Sequence, residues 1–227
     1  DAAFREAEMA KLLENTYRHI NIALINEIAR FCHDMGIDVW NVIELAQTKP
    51  FGFQSFYPGP GVGGHCIPID PGYLSHRVKA TLGYPFRFVE LAEEINRSMP
   101  RYVVERVQAI LNSRGLPLKD SGVLLVGVSY KPDVADVRES PAIDLVRHLR
   151  RGGARVSYLD EFVESFVVDG TPVTKVIEPL DLGQPSIAVV VTDHSAFDSK
   201  RLSAVPMVLD TRGGLRGQVL DAELHFL

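Results

Sequence analysis

The chain has 227 residues, 46% of them apolar and 23% charged, and a formal net charge of -5 at neutral pH. That is the composition of a globular protein with enough chain for one large domain or two smaller ones, and its acidic balance gives no reason to expect nucleic acid. No apolar run is long enough to span a bilayer and the N-terminal Asp1-Ala2-Ala3-Phe4 is no signal peptide, so no membrane contact is expected and the cytoplasm is the expected location.

From about Ala3 to Met35, apolar residues recur at helical spacing (Met9, Leu12, Leu13, Tyr17, Ile20, Leu24, Ile28, Phe31), which predicts one long helix. Gly36 supplies its stop, and Asp38 is placed to cap a second helix running from Val39 to about Thr48. Glycine and proline then crowd the chain from Pro50 to Gly72, the mark of a long ordered loop of the kind used for binding. Tyr73 to Leu82 reads as a short helix. A third long helix is predicted from Arg87 to Arg114, with Phe88, Leu91, Ile95, Met99, Val103, Val107 and Ile110 on one stripe. Pro100 is expected to kink it or to begin a new segment. Gly115-Leu116-Pro117 ends this helical half, which sets a domain boundary near residue 116.

Beyond that boundary the pattern changes to short apolar runs alternating with helices: Gly122 to Val128, Pro141 to Arg151, Arg155 to Leu159, Ser186 to Val191, the region of Leu202, and Met207 to Leu209. Continuous apolar runs are the signature of buried parallel strands, and their alternation with helices predicts a doubly wound α/β domain.

The stretch Phe56-Tyr57-Pro58-Gly59-Pro60-Gly61-Val62-Gly63-Gly64-His65-Cys66-Ile67-Pro68-Ile69-Asp70 carries the most chemistry. Glycines allow close backbone approach to a ligand and prolines stiffen the loop, so Cys66, with Asp70 four residues on, is a candidate nucleophile. The competing reading is a small buried hydrophobe, the usual fate of a lone cysteine. Residues 59–64 satisfy G-x-G-x-x-G, but no apolar strand precedes them and no helix opens at the last glycine, so a dinucleotide site does not follow. The other cysteine, Cys32, sits on the apolar side of a helix and reads as core. With no paired-ligand spacing, neither structural zinc nor a disulfide framework is expected.

Lys11 and Asn15 stand four apart in the first helix and share a face, where an ammonium and a carboxamide could stabilise an oxyanion. On spacing alone, a solvated helix surface is the better reading. In the second half, the apolar run ending at Val128 leads through Ser129-Tyr130-Lys131-Pro132-Asp133 to Arg138-Glu139-Ser140-Pro141 and a helix start. Ligands of open α/β sheets bind at the carboxyl ends of strands, and helix N-termini favour phosphate, so Lys131 and Arg138 could meet a pyrophosphate. A solvated loop of mixed charge is the alternative. Arg212, in Asp210-Thr211-Arg212, follows another buried strand and can point to the same crevice.

Taken together, Ala7-Glu8-Met9-Ala10-Lys11-Leu12-Leu13-Glu14-Asn15, the loop ending Gly63-Gly64-His65-Cys66, Lys131-Pro132-Asp133 through Arg138-Glu139-Ser140, and Asp210-Thr211-Arg212 resemble the nucleotide-sugar dehydrogenases, the UDP-glucose/GDP-mannose 6-dehydrogenase family. The resemblance implies an all-helical central dimerisation domain over 1–115 and a Rossmann-like, mostly parallel α/β domain that binds the UDP-sugar over 116–227. It also implies an N-terminal NAD-binding domain that this sequence does not carry. The loop around Cys66 is most similar to that of UDP-N-acetylglucosamine 6-dehydrogenases, with the N-acetylmannosamine enzymes as the alternative.

By resemblance, the family oxidises the C6 alcohol of the sugar to a carboxylate with NAD. Cys66 would form a thiohemiacetal and then a thioester, Lys11 and Asn15 would stabilise the oxyanion and position water, and Asp70 would assist proton transfer or orient Lys11. Phe56, Tyr57, Gly63, Lys131 and Arg212 would bind the substrate, and Arg138 would reach toward NAD. The helix from Arg87 is expected to pair with its counterpart in a homodimer or larger homo-oligomer, and the piece alone is expected to be inactive. Two other classes remain: a non-catalytic UDP-binding dimerisation module, and a cysteine hydrolase or acyltransferase. The last would need a histidine base that the sequence does not locate.

Overall fold

In the computed structural model, residues 2–64, 75, 78–81, 83–181 and 183–227 are described. The elements are α1 (Ala2–Asp34), α2 (Val39–Gln47), α3 (Arg87–Ser113), β1 (Gly122–Val126), α4 (Pro141–Arg151), β2 (Arg155–Leu159), β3 (Val167–Val168), β4 (Thr171–Pro172), β5 (Thr174–Lys175), β6 (Ile187–Val190), a 3-10 helix (Ser199–Ala204), β7 (Met207–Asp210) and β8 (Glu223–Phe226). The helix expected over Tyr73 to Leu82 lies largely outside the described residues; Ser75 and residues 78–81 are helical.

The chain divides into two compact units, Asp1–Ser98 and Met99–Leu227. The division falls inside α3, earlier than the glycine-proline stop at 115–117, because Met99, Val103, Val107, Ile110 and Leu111 are built into the core of the α/β unit. Pro100 starts no new segment, since α3 is continuous through it. Its missing N–H removes one helix bond, and apolar burial of the turns that follow offsets that loss.

In the first unit, α1 ends where Gly36 adopts a φ of 67° and the Ile37 N–H reaches back to the Cys32 carbonyl at 2.8 Å. Asp38 then caps α2, its carboxylate accepting from the N–H groups of Trp40 at 2.9 Å and Asn41 at 3.3 Å. The buried face of α1 departs from the apolar stripe. Asn15, Thr16, His19, Ala23, Asn26, Ala29 and Cys32 are buried, whereas Met9, Leu13, Tyr17, Leu24 and Phe31 are exposed. Apolar periodicity locates the helix correctly and assigns its inward face wrongly, because small and hydrogen-bonded residues make the packing contacts here.

The second unit is a six-stranded sheet in the order β5-β2-β1-β6-β7-β8, with every pair parallel. Parallel strands need both faces covered, and alternate residues serve the two sides. Val123, Leu125, Ile187, Val189 and Leu209 pack with α3 and α4. Leu124, Val126, Ala188, Val190 and Val208 pack with Leu202, Val205, Leu215 and Ala222, so a 3-10 helix and loops close the second face in place of an α-helix. The four short strands β3, β4, β5 and β8 have no sequence signal of their own; three are two residues long.

Relative to β1, the strands β2 and β5 lie on one side and β6 to β8 on the other, so the winding reverses between β1 and β6. Gly127 makes that junction tight. It has a φ of 71°, and a Cβ built on it would stand 2.1 Å from the Thr192 carbonyl oxygen, which is main chain and cannot swing away. Gly127→Ala is therefore expected to cost at least about 2 kcal/mol through left-handed strain and backbone displacement, read as a lower denaturation midpoint at unchanged slope. A midpoint within error of wild type would contradict the close approach.

Candidate functional site

The glycine-rich loop is described as far as Gly64; Cys66 and Asp70 lie outside the described residues. Residues 53–64 contain neither helix nor strand, in keeping with rejection of the dinucleotide motif. The loop is held by side chains of α1, α2 and α3. The Asn26 amide accepts from the Gly59 N–H at 3.0 Å and donates to Asn96 at 3.0 Å, and Asn96 in turn donates to the His19 carbonyl at 3.2 Å. Burial pushes the pKa of His19 down, with Glu93 opposing, so the ring is neutral in this contact at pH 7. Phe56 meets Tyr17 edge-on at 5.8 Å, Tyr57 stacks on Trp40 at 6.0 Å, and Gly63 is half-buried. Lys11 and Asn15 do not share an environment. Asn15 is buried, while Lys11 is exposed and paired with Glu14 at 3.2 Å.

At the winding reversal of the sheet, three loops meet over one buried carboxylate. Asp160, following β2, accepts from the Val128 N–H at 2.7 Å, from the Phe162 and Val163 N–H groups at 2.8 and 3.0 Å, and from His194 Nε2 at 3.1 Å. Burial alone would raise its pKa; the His194 contact and the backbone donors outweigh that and hold it below the ordinary aspartate value. His194 follows β6, is buried, and stacks on Phe162 with ring centres 4.8 Å apart. Its Nδ1 accepts from the Asp133 N–H at 2.9 Å, which requires the neutral tautomer with hydrogen on Nε2.

The loop after β1 is tied to this centre. Ser129 donates to the Lys131 carbonyl at 2.8 Å and lies 3.4 Å from His194 Nε2, and Thr192 donates to the Ser129 carbonyl at 2.7 Å. Lys131 itself is exposed, its ammonium 5.4 Å from the centre of the Tyr130 ring. Ser129, His194 and Asp160 do not form a hydrolase triad. Both acid and hydroxyl face the same ring nitrogen, the other nitrogen is occupied by a backbone donor, and the Ser129 proton is committed to a carbonyl.

Beyond β7, Asp210 is buried and accepts from the N–H groups of Arg212, Gly213 and Leu215 at 2.8, 2.9 and 2.8 Å. This turn presents Arg212, whose Nε donates to the Val191 carbonyl at 2.8 Å. Burial of the guanidinium lowers its pKa to about 10 against the raising effect of Asp210 and Asp193, so it remains cationic at neutral pH. In sheet order β1-β6-β7, Lys131 and Arg212 flank the loop that carries His194.

The residues of this unit do not fit a nicotinamide dinucleotide. Its first strand-to-helix connection has no G-x-G-x-x-G, and Asp160, at the end of β2 where such folds offer a carboxylate to the ribose, is consumed by protein donors. Arg138, expected to face NAD, is exposed and paired with Asp136 at 2.7 Å within its own loop.

Comparison with known proteins identifies both halves. Residues 5–98 match the central domain of the UDP-glucose/GDP-mannose dehydrogenase family, and residues 124–217 match the UDP binding domain of the same family. The chain belongs to the UDP-glucose/GDP-mannose dehydrogenase family. It is 39% identical over 191 residues to a UDP-N-acetyl-D-mannosamine dehydrogenase of Methanococcus maripaludis, covering 84% of this chain and 42% of that protein. Against the enzyme of the same description from Methanocaldococcus jannaschii it is 36% identical over 229 residues, covering 96% of this chain and 50% of that protein. A solved structure of the UDP-D-mannosamine-type dehydrogenase of Pyrococcus horikoshii superposes with a TM-score of 0.82 at 29% identity, over 97% of this chain and 51% of that one. The chain thus spans about half the length of these relatives. Their descriptions favour the manno epimer over the gluco epimer read from the cysteine loop. Among the described residues no helix is long and apolar enough to cross a membrane.

His194, Asp160 and Ser129 are the family member's site residues that sequence reasoning missed. Their only signal was position, immediately after the apolar runs that became β1, β2 and β6. Two measurements test this centre. Nitrogen NMR of the His194 imidazole at neutral pH is expected to show hydrogen on Nε2; the Nδ1–H tautomer would refute the Asp133 contact. Because the folded pKa of Asp160 lies below its unfolded value, its contribution is complete above about pH 4 and is lost as pH falls through the folded value. Thermal melts between about pH 5 and pH 3 should fall less steeply for Asp160→Asn than for wild type, and equal slopes would remove Asp160 from the acid response.

Proposed function

We propose that this chain is the substrate-binding and thiol-bearing part of a UDP-N-acetylhexosamine 6-dehydrogenase, with the manno epimer as substrate. The observation that carries the reading is that Lys131 and Arg212 flank the winding reversal of a parallel sheet, inside the segment matching the family's UDP binding domain. Open α/β sheets bind ligands at that crevice, and two fixed cations suit a diphosphate. The relatives' descriptions support the N-acetylmannosamine epimer. The loop sequence around Cys66 keeps N-acetylglucosamine as the second reading.

In this reading the Cys66 thiolate adds to the C6 aldehyde to give a thiohemiacetal. Loss of hydride leaves a thioester, which water hydrolyses to the carboxylate. The thiol is regenerated by the proton that water gives up. Asp70 takes part in proton transfer, and Lys11 and Asn15 stabilise the oxyanion. For Lys11 this requires exchange of its Glu14 partner for the reacting oxygen. Phe56, Tyr57 and Gly63 line the sugar side of the loop. Hydride acceptance belongs to the NAD that the family resemblance implies, for which the described residues form no site, so the chain alone is expected to be inactive.

We further read the exposed apolar residues of α1, Met9, Leu13, Leu24 and Phe31, with Phe88 and Leu91 of α3, as the face that meets a second copy. This shifts the expected pairing surface. The later residues of the α3 stripe, Met99, Val103, Val107 and Ile110, are already covered by their own unit.

Titration calorimetry of the chain with UDP tests the binding step. Lys131→Ala and Arg212→Ala are each expected to weaken UDP about tenfold or more, the worth of a charge-assisted contact to phosphate. Wild-type affinity in both variants would sink the reading. NAD reduction by the longer protein containing this chain, compared on the two UDP-N-acetylhexosamine epimers, decides the substrate. A clear preference for the gluco epimer would overturn the manno assignment.

A further inference from the structure

The turn that carries Lys131 is strained and held from outside. Asp133, two residues on, lies in the left-handed region with a φ of 61°, and Glu139 does so at 55°. Such a conformation persists in a residue other than glycine only where surrounding bonds over-determine it. Here those bonds come from the loop after β6. The Asp133 N–H donates to His194 Nδ1 at 2.9 Å, and its carboxylate accepts from the Ser195 N–H at 3.0 Å and the Ser195 hydroxyl at 2.9 Å. On the other side of Lys131, Ser129 binds the Lys131 carbonyl and approaches His194 Nε2. The two nitrogens of one buried ring therefore address both ends of a five-residue turn, while Asp160 and the Phe162 ring fix the ring itself.

We propose that His194 is a positioning residue for the nucleotide diphosphate. It sets the Ser129–Asp133 turn so that the Lys131 ammonium is presented at the winding reversal in one conformation before ligand arrives. This rests on the reading of Lys131 as a diphosphate contact. A preset turn removes the ordering cost that a mobile lysine would add to binding. The ring does not touch the ligand; it acts through Lys131.

The two ring nitrogens can be separated by substitution. In His194→Asn the amide oxygen falls where Nδ1 stood and can still accept from the Asp133 N–H. In His194→Gln the amide nitrogen falls where Nε2 stood and can still serve Asp160, but no acceptor faces Asp133. UDP affinity by calorimetry and amide exchange of residues 130–134 would be measured for both variants of the full chain, alone and with Lys131→Ala. His194→Asn is expected to keep the dissociation constant within about threefold of wild type and the Asp133 amide protected. His194→Gln should weaken UDP about tenfold and speed exchange, and add almost nothing when Lys131 is already alanine.

Equal affinities for the two variants, or an undiminished His194→Gln effect in the Lys131→Ala background, would overturn the proposal. If glutamine prevents folding, Ser129→Ala, which removes the hydroxyl between His194 and the Lys131 carbonyl, carries the same comparison. Wild-type chain that does not bind UDP, or Lys131→Ala that binds it normally, defeats the substrate reading instead. The exchange comparison then still passes or fails the turn-setting role by itself.

Discussion

The α/β unit depends on one buried carboxylate. Asp160 terminates β2, yet its partners are the backbone after β1, its own turn, and the histidine after β6. Three loops that leave the sheet separately are thereby fixed to each other at the point where its winding reverses. A buried carboxylate is tolerated only when its oxygens are fully engaged, and here that engagement is what gives the crevice its shape. Desolvation and the histidine contact pull the group in opposite directions, and the contacts win. The protein keeps the charged form in its interior because so many donors converge on it.

The same carboxylate explains why a Rossmann-like sheet can bind a nucleotide without binding a dinucleotide. In the dinucleotide fold the acid at the end of the second strand is free for a ribose, and a glycine turn after the first strand admits the pyrophosphate. In this chain the acid is turned onto the Val128 N–H, and the glycine after β1 is occupied in packing against the Thr192 carbonyl. Recognition is left to cations on the rims of the crevice, Lys131 after β1 and Arg212 after β7. Their presentation is a matter of backbone geometry: one is held by a turn around Asp210, the other by the His194 contacts.

Much of this architecture was legible in the sequence where burial is uniform. Strands β1, β2, β6 and β7 are continuous apolar runs because both faces of a parallel sheet are covered, and α4 announced itself through Ser140 and Pro141 at its start. Strands of two residues leave no such trace. The inward face of α1 was misread for a physical reason: its contacts are made by Asn15, Asn26 and His19 through hydrogen bonds and by Ala23 and Ala29 through close approach, none of which raises apolar periodicity. The candidate cations Lys131 and Arg212 followed from the rule that ligands sit at strand ends. The groups behind them did not, because a buried histidine or aspartate is defined by partners distant in sequence.

The contrast between the two units extends this point to function. In the helical unit the glycine-rich loop is fastened at Gly59 by Asn26, and Asn26 is itself fixed by Asn96 of another helix. In the α/β unit the lysine turn is fastened at Asp133 by His194, and His194 is fixed by Asp160. In both cases a flexible, chemically useful segment is held by a buried polar side chain whose other hydrogen bond is satisfied elsewhere. A buried network of this kind is costly if any member is lost, since each lost partner strands another group away from water. That cost makes each loop's conformation a property of its whole unit, so a glycine-rich or charged segment can be held ready for a ligand without apolar contacts of its own.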